Sequence, residues 1–337
     1  MNAVPYLVLT VPGLGRVARR ELVGAGLTAG RVEHDGRSDV IPVAEAPGSS
    51  LRTVEDVLAE VGTSRATTVD RIVADLSRSG DLSRSVRFFG SLAHENPHRT
   101  FRVVVRVLAE RRFRRTQLRD AMAAALPAAL PGGGWREADP GGVELWLLET
   151  MPGLYRLGVR LTTAETRQHG GRTVERSGAL RPAVAAAMVL LAGEGPTVVV
   201  DTCCGSGTIL AELTARPTLG IGGDVDFGAL HDAARANAPG AALVRWDARS
   251  LPLRDDAAAA VVTNLPFGKQ FNVQGSPVAW YRRALQECRR VAPRTVVLAP
   301  PSEPFRRALG RLPFSLDERV DLTLLGTHTA IWSLRRE

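Results

Sequence analysis

Apolar positions follow one spacing before residue 166 and another after it. In the later part, short apolar runs that predict buried strands alternate with amphipathic segments that predict helices. The predicted strands are TVVVDTCC, LGIGGDVD, AALVRWDA, AAAVVTNL and RTVVLAP, and the predicted helices include GTILAELTA, ALHDAARANA and WYRRALQECRRVA. This alternation predicts a mostly parallel sheet with helices on both faces. The last segment, RVDLTLLGTHTAIWSL, reads as two strands that turn near Gly326, which predicts an antiparallel edge.

The earlier part predicts a different kind of domain. It opens with a short strand, a Pro-Gly turn and an amphipathic helix in YLVLTVPGLGRVARRELVGAG. A strand (TFRVVVRVLA), a helix (RRTQLRDAMAAALPAAL) and a pair of strands (GVELWLLETMPGLYRLGVRLTT) follow, whereas residues 31–97 show no pattern that resolves into elements. We therefore expect an α+β region over residues 1–165 and an α/β domain over residues 166–337.

A glycine turn follows the first strand of the predicted parallel sheet. In VVVDTCCGSGTILAEL, Gly205 and Gly207 lie between that strand and a helix, where glycines let the backbone approach a ligand closely. Leu210 occupies the place of the third glycine in the dinucleotide fingerprint, and Asp201 would repel a pyrophosphate. The motif therefore favours a ligand that carries an amino group and a positive centre.

Acids also end the next two predicted strands. Asp224 lies 23 residues after Asp201, where such folds place an acid on ribose hydroxyls. Asp247 ends AALVRWDA, where it can accept a hydrogen bond from an adenine amino group. One such acid is explained equally well as a helix cap. Three of them beside a glycine turn describe S-adenosylmethionine.

The segment VVTNLPFGKQ suits the methylation of an amine on a nucleobase. The side-chain carbonyl of Asn264 and the main-chain carbonyl of Leu265, turned inward by Pro266, can accept both amine hydrogens. This favours a pyramidal nitrogen whose lone pair faces a methyl donor. Phe267 offers a surface on which an extruded base stacks, and Lys269 a charge for phosphate. No general base is expected, because the proton becomes acidic only after methyl transfer.

These motifs resemble those of a known family. DTCCGSGTILAE resembles motif I of the class I methyltransferases, particularly the RNA guanine-N2 group, and NLPF resembles their N/D-P-P-Y/F motif. Upstream, YLVLTVPGLGRVARREL and the segments from TFRVVVRV to YRLGVRLT are similar to THUMP-domain methyltransferases. The connector TRQHGGRTVERSGALRP is similar to the segment that leads into their catalytic domain. Where the THUMP core usually has a glycine and a histidine, this chain has AERRFRR.

The resemblance implies a fold, a cofactor and a reaction. The fold is a C-terminal Rossmann-like class I methyltransferase domain, preceded by a smaller α+β THUMP-like region whose module spans about residues 50–165. The cofactor is S-adenosyl-L-methionine, and the reaction is methylation of guanosine N2 in tRNA, in the acceptor-stem region. The implied catalytic residues are Asn264, Leu265, Pro266 and Phe267. The implied cofactor-binding residues are Asp201, Cys203, Gly205, Ser206, Gly207, Thr208, Asp224, Val225, Asp247, Ala248 and Asn264.

Charge adds evidence for a polyanionic partner. The chain has a net charge of +8, and the segment from Arg99 to Asp120 contains eight arginines and only two acids. Such a concentration favours a surface that follows phosphates over a solvated face. The residues expected to contact RNA are Arg111, Arg112, Arg114, Arg115, Arg167 and Lys269.

The remaining features exclude several classes of protein. An apolar share of 45% fits a soluble globular protein, no apolar run is long enough to cross a bilayer, and the N-terminus lacks the pattern of a signal peptide. The three cysteines form neither a disulfide framework nor a metal cluster. Cys203 and Cys204 are expected to be buried fillers and His169 a solvated loop residue. We expect a cytoplasmic enzyme without a metal. The oligomeric state is open, with a monomer favoured.

Two alternatives to this function stay open at the level of sequence. The same chemistry suits ribosomal RNA or the N6 amine of adenine. A protein that binds RNA through a decayed catalytic domain is the other alternative, against which the intact Asp201, Asp224, Asp247 and Asn264 count.

Overall fold

The computed structural model describes residues 5–48, 50–78, 80–89, 99–109, 112–140, 142–169, 179–193, 195, 197–267, 275–324 and 326–337. The chain divides into two compact units, Met1–Arg167 and Gln168–Glu337. Each unit contains a sheet of its own.

The N-terminal unit is an α+β structure. Its strands are β1 (Tyr6–Thr10), β2 (Glu33–His34), β3 (Asp39–Val43), β4 (Asp56–Ser64), β5 (Thr100–Arg106), β6 (Arg136–Glu137), β7 (Val143–Met151) and β8 (Leu154–Arg160). Its helices are α1 (Gly15–Gly24), α2 (Val69–Ser77), α3 (Gly80–Phe89), α4 (Arg115–Ala129) and α5 (Ala164–Arg167). The strands lie in one sheet in the order β2-β3-β1-β4-β8-β7-β5-β6.

The largest core of this unit lies between the sheet and α2, α3 and α4. The side chains of a strand alternate between the two faces of its sheet, so β5 buries Phe101, Val103 and Val105 on this side. They pack there with Leu118 and Met122 of α4. This alternation explains why TFRVVVRV is recognised as a strand from its sequence.

The opposite face of the same sheet is held by buried ion pairs. Arg106 of β5 donates to Asp35 at 2.8 Å, and Arg156 of β8 donates to Glu33 at 2.9 Å and to Glu60 at 2.7 Å. Two of these three acids come from β2 and the turn that follows it. The pairs therefore fasten the N-terminal hairpin to strands that lie far from it in sequence.

The C-terminal unit alternates strands and helices. Its strands are β9 (Val198–Asp201), β10 (Leu219–Asp224), β11 (Ala242–Arg245), β12 (Ala260–Asn264), β13 (Arg294–Ala299), β14 (Phe314–Leu324) and β15 (Thr327–Arg336). Its helices are α6 (Pro182–Leu191), α7 (Thr208–Thr214), α8 (Phe227–Asp232), α9 (Pro277–Val291) and α10 (Glu303–Leu309), and α8 continues as a π-helical segment, Ala233–Asn237.

The order of the strands places a topological switch point in the middle of this sheet. The order is β11-β10-β9-β12-β13-β15-β14, and all described pairings from β11 to β13 are parallel. The final strand β15 is antiparallel to both β13 and β14. The predicted fold class is confirmed: a Rossmann-like α/β domain with an antiparallel final strand, preceded by an α+β region. Ligands of such sheets bind outside the carboxyl ends of the strands, at the switch point, which here lies between β9 and β12.

One close contact beside the switch point gives a glycine of β10 a structural role. Trp246 is buried and lies against Gly223, where an added Cβ would be 2.1 Å from the indole carbon Cε2. The indole Nε1 of Trp246 donates a hydrogen bond to the carbonyl of Thr202 at 3.0 Å. Because Gly223 has no side chain, the indole of Trp246 can lie over β10 and hold the start of the loop that follows β9.

We expect Gly223→Ala to lower the free energy of unfolding by about 1–3 kcal/mol, because the new methyl group must displace Trp246. Chemical denaturation followed by circular dichroism and tryptophan fluorescence measures the change. Gly24→Ala, in α1, is the control: apart from its chain neighbours and its own helix backbone, no atom lies within 4 Å of the added Cβ, and the change should not lower the stability. Equal destabilisation of the two variants would contradict this role of Gly223.

Candidate active site

Polar side chains gather where the parallel strands end. Asp201 is the last residue of β9, Asp224 of β10 and Asn264 of β12, and Asp247 follows β11 by two residues. Because β9, β10, β11 and β12 are parallel, these residues share one edge of the sheet, beside the switch point. The structure thus brings together the acids and the amide that the sequence motifs had singled out.

The loop after β9 is shaped by glycines and fastened to β10. Gly205 and Gly207 have φ values of 51° and 86°, in the left-handed region that favours glycine. Cys204 donates its N–H to the carbonyl of Gly223 at 2.9 Å, and Gly205 donates to the carboxylate of Asp224 at 2.9 Å. No atom lies within 4 Å of a Cβ placed on Gly205. The loop therefore leaves beside its backbone a space that a side chain would fill.

Asp201 is a buried carboxylate behind this loop. It is 1% exposed and accepts the N–H of Cys203 at 3.3 Å. Burial raises the pKa of Asp201 to about 7, and the nearby charge of Asp224 also raises it. A positive group at this position would favour the ionised carboxylate. The binding of a cationic ligand is therefore coupled to loss of a proton from Asp201.

The other two acids already have partners. The carboxylate of Asp224 accepts from Gly205 and, at 3.0 Å, from the N–H of Asp226. Asp247 accepts from the guanidinium of Arg249, at 2.6 Å from Nη2, and these hydrogen bonds lower the pKa of Asp247. An adenine amino group would therefore share Asp247 with Arg249. This pair was not foreseen from the sequence.

Asn264 presents an unused acceptor at the end of β12. Its Oδ1 atom is buried and has no hydrogen-bond partner in the described part of the chain. A buried polar atom normally has a partner, and one without it points to a ligand or a function. The next residue, Leu265, is fully buried and donates its N–H to the carbonyl of Leu298 at 3.2 Å. Pro266 and the half-buried Phe267 complete the predicted tetrapeptide at the same edge.

The other predicted cofactor contacts surround the glycine turn and the ends of β10 and β11. Ser206, Thr208 and Ala248 are buried, whereas Val225 is 59% exposed and therefore accessible to a ligand. Cys203 is half-buried.

The thiols beside the turn remain protonated. Burial raises the pKa of the Cys203 and Cys204 thiols above the ordinary value, and it raises the pKa of Cys288 to about 12. No thiolate nucleophile is thus available at these three positions. The burial of Cys204 agrees with the expectation of a small buried filler, whereas Cys203 is only half-buried.

The expectation for His169 was wrong. Its side chain is 7% exposed, and its Nδ1 atom lies 2.8 Å from Oε1 of the buried Glu212 in α7. His169 also has a φ of 52°, a left-handed conformation that a tertiary contact must hold. It ties the connector to the helix after the glycine turn. The two residues are 43 positions apart, so no local pattern signals this contact.

The arginine-rich segment is less free than its composition suggests. Arg106 is paired with Asp35 inside the N-terminal unit. Arg102 lies 3.2 Å from Asp139, and Arg119 lies 2.8 Å from Glu137. Three of the eight arginines thus neutralise acids elsewhere in the unit. The count of charges along the segment overstated the charge that is available to a partner.

The predicted RNA contacts are exposed where the structure describes them. Arg112, Arg114 and Arg115 lie at or just before the start of α4 with exposed side chains. Arg167 is also exposed and lies 3.9 Å from Asp56. Arg111 and Lys269 lie outside the described residues.

Two kinds of feature are absent from the described residues. No helix in that part of the chain has the length and apolar character needed to span a membrane. In the same part, no group of three or more histidines, cysteines or acids is arranged to hold a metal ion.

Comparison with known proteins agrees with this geometry. A family model, UPF0020, described as an RMKL-like methyltransferase domain, matches residues 169–216, which include the glycine turn. TrmN from Thermus thermophilus superposes with a TM-score of 0.77 at 21% identity, over 99% of each chain. No curated protein sequence matches the chain.

Two further solved structures share the whole architecture. A predicted N6-adenine-specific DNA methylase from Listeria monocytogenes has a TM-score of 0.67 and 17% identity, covering 99% of this chain and 96% of its own. SMU.472, a putative methyltransferase complexed with SAH, has a TM-score of 0.67 and 14% identity, covering 99% of this chain and 98% of its own.

The family model that matches is that of a methyltransferase domain, and SMU.472, which shares the fold, is complexed with SAH. The chain also shares the two-part architecture of TrmN, with an α+β unit before the Rossmann-like domain. These findings agree with the resemblance noted in the sequence and with the predicted cofactor.

We expect Asp201→Asn to separate ligand binding from stability. Protonation of Asp201 is favoured in the folded state, so its contribution to stability is complete below pH 3.8 and is lost as the pH rises through about 7. Without ligand, the melting temperature of the variant should therefore exceed that of the parent by more at pH 8 than at pH 5.5. Its affinity for S-adenosylmethionine should fall most at pH 8, where the native carboxylate is charged. Calorimetry and thermal melts at both pH values measure these effects, and a pH-independent difference would contradict them.

Proposed function

We propose that the protein transfers a methyl group from S-adenosylmethionine to the N2 amine of a guanosine in tRNA. The observation that carries this proposal is the buried, unpartnered Oδ1 of Asn264 at the carboxyl edge of the sheet, within the part of the chain that the structure describes. An acceptor without a donor is suited to a group that brings hydrogens with it, and the exocyclic amine of a base is such a group. The choice of guanosine and of tRNA rests on the resemblance of the sequence motifs.

The residues present fit the cofactor. The open space beside Gly205 accommodates a ligand close to the loop backbone, and the buried carboxylate of Asp201 suits a positive charge. Asp224 and Asp247 would hold the ribose and adenine parts. When bound, S-adenosylmethionine supplies a methyl group on a positively charged sulfur.

The chain's own contribution is to prepare the amine. The nitrogen lone pair of an exocyclic amine is delocalised into the ring, which makes it a poor nucleophile. Asn264 Oδ1 and the Leu265 carbonyl each accept one amine hydrogen and so favour a pyramidal nitrogen with a directed lone pair. Phe267 stacks on the extruded base. After transfer the nitrogen is cationic and its proton leaves readily, so no strong base is required.

The product of the reaction tests the proposal directly. Purified protein, labelled S-adenosylmethionine and total RNA from cells that lack the enzyme should give N2-methylguanosine, identified by mass spectrometry of nucleosides. Fractionation then shows whether the label is in tRNA. N6-methyladenosine, or label in ribosomal RNA, would replace the proposed substrate. Bound cofactor without transfer to any RNA would favour an RNA-binding protein with a decayed site.

We expect Asn264→Ala to lower kcat by about 10²- to 10³-fold, because the lost acceptor matters most as the amine becomes pyramidal. Affinity for S-adenosylmethionine should change little. Asn264→Asp is the matched variant: it keeps an acceptor and should retain activity. Methyl transfer at the parental rate by a folded Asn264→Ala protein would exclude amine activation by this residue.

A second prediction concerns the exposed arginines near α4. Replacing Arg112, Arg114 and Arg115 with alanine should weaken RNA binding and flatten its dependence on salt, because fewer counterions are released. The matched control removes the same charge from α1, at the exposed Arg16, Arg19 and Arg20. Filter binding across a range of salt concentrations measures both variants. Equal losses would show that only net charge matters, and no loss would show that the α4 arginines are merely solvated.

A further inference from the structure

The main-chain carbonyl of Leu265 receives no hydrogen bond from the residue that faces it after β13. In a parallel pair, a residue donates its N–H to one partner residue and accepts at its carbonyl from the residue two positions further along. Leu265 donates to the carbonyl of Leu298, so the donor to the Leu265 carbonyl would be the N–H of residue 300. That residue is Pro300, which has no N–H. Accordingly, no described residue donates a hydrogen bond to the Leu265 carbonyl.

The next carbonyl along the chain, that of Pro266, does accept a hydrogen bond. The hydroxyl of Tyr281 in α9 donates to the carbonyl of Pro266 at 3.0 Å. Tyr281 is 4% exposed, and burial raises its pKa to about 12, so the hydroxyl keeps its proton. Its ring packs edge-on against Trp280 and Phe305, with centroid distances of 5.5 and 5.4 Å. The donor is therefore held in place from two sides.

These two contacts fix the direction of the Leu265 carbonyl. The ring of Pro266 fixes its φ angle, and the bond from Tyr281 holds its carbonyl and hence its ψ angle. On the other side, the Leu265 N–H is tied to β13. The peptide between Leu265 and Pro266 is thus anchored at both ends, with its oxygen unoccupied by any described residue. Phe267, which follows directly, takes its direction from the same anchored proline.

We propose that Tyr281 and Pro300 are positioning residues for methyl transfer. Pro300 keeps the Leu265 carbonyl free to accept the second hydrogen of the amine, and Tyr281 holds that carbonyl and Phe267 in the direction the base requires. This inference rests on the proposed function, because it assigns the second acceptor of the same amine. It accounts for the presence of a proline directly after β13 and of a buried phenol among otherwise apolar neighbours.

The two substitutions act in opposite ways on the turn. Tyr281→Phe keeps the ring packing and removes only the hydroxyl donor. Pro300→Ala adds an N–H that can occupy the Leu265 carbonyl. Each should lower kcat about 10-fold, the effect of one hydrogen bond, and leave the KM for RNA and the affinity for S-adenosylmethionine within about twofold of the parent.

Two control variants separate positioning from general packing. Pro301→Ala removes the adjacent proline, but successive N–H groups of a strand point to opposite edges, so the new donor faces away from β12. Trp332→Phe removes a donor to the Ala299 carbonyl within the same core cluster as Tyr281. Both controls should keep the parental kcat, even where the melting temperature falls.

Kinetics and a crystal structure of the Pro300→Ala variant together decide the question. We expect the new backbone nitrogen at position 300 within hydrogen-bond distance of the Leu265 oxygen, and lower kcat in both test variants but in neither control. If Tyr281→Phe and Pro300→Ala both keep the parental kcat, while the parent protein methylates an amine, the positioning role alone is overturned. A backbone N–H at position 300 that points away from Leu265 would overturn it as well. A parent product methylated on carbon, ribose or a ring nitrogen would overturn the proposed function and this role with it.

Discussion

The parallel pairing of β9 with β10 on one side and with β12 on the other is the constraint on which the site depends. It places Asp201, Asp224 and Asn264 at one edge, because all three strands end in the same direction. It also leaves a crevice where the chain turns from one side of the sheet to the other. A shift of one residue in either pairing would turn the side chains of the shifted strand to the opposite face.

The loop after β9 depends on this pairing as well. Its backbone is tied to β10 through Gly223 and Asp224, and its first carbonyl is held by the indole of Trp246. Asp224 therefore does two things at once: it shapes the glycine turn, and it remains at the edge where a ribose would lie. Loss of its carboxylate would disturb both the ligand and the loop that surrounds it.

Most of the fold and the centre of the site could be predicted from the sequence, because their signals are local. Alternation of apolar runs with amphipathic segments identified the parallel sheet, the glycine turn lies in the loop after β9, and Asn264 ends β12. The contacts that support them could not be predicted. Each of these contacts joins residues that are distant in the sequence, so no local pattern indicates it. The contacts are those of His169 with Glu212, Tyr281 with Pro266 and Trp246 with Gly223. The charge available along the arginine-rich segment was overstated for the same reason, since the acids that pair with Arg106 and Arg119 come from other elements.

The site keeps polar groups in states that folding alone does not favour. Asp201 is a carboxylate with little water around it, and Asn264 has a buried oxygen with no donor among the described residues. Each costs stability, because a buried charge or an unpaired acceptor has lost its hydration. A ligand with a positive centre and a base with an amine would supply the missing partners, so binding recovers part of that cost. The surrounding apolar cluster and the fixed backbone of Pro266 prevent these groups from finding partners within the protein itself. Rigidity beside the site is therefore what keeps its acceptors available to a substrate.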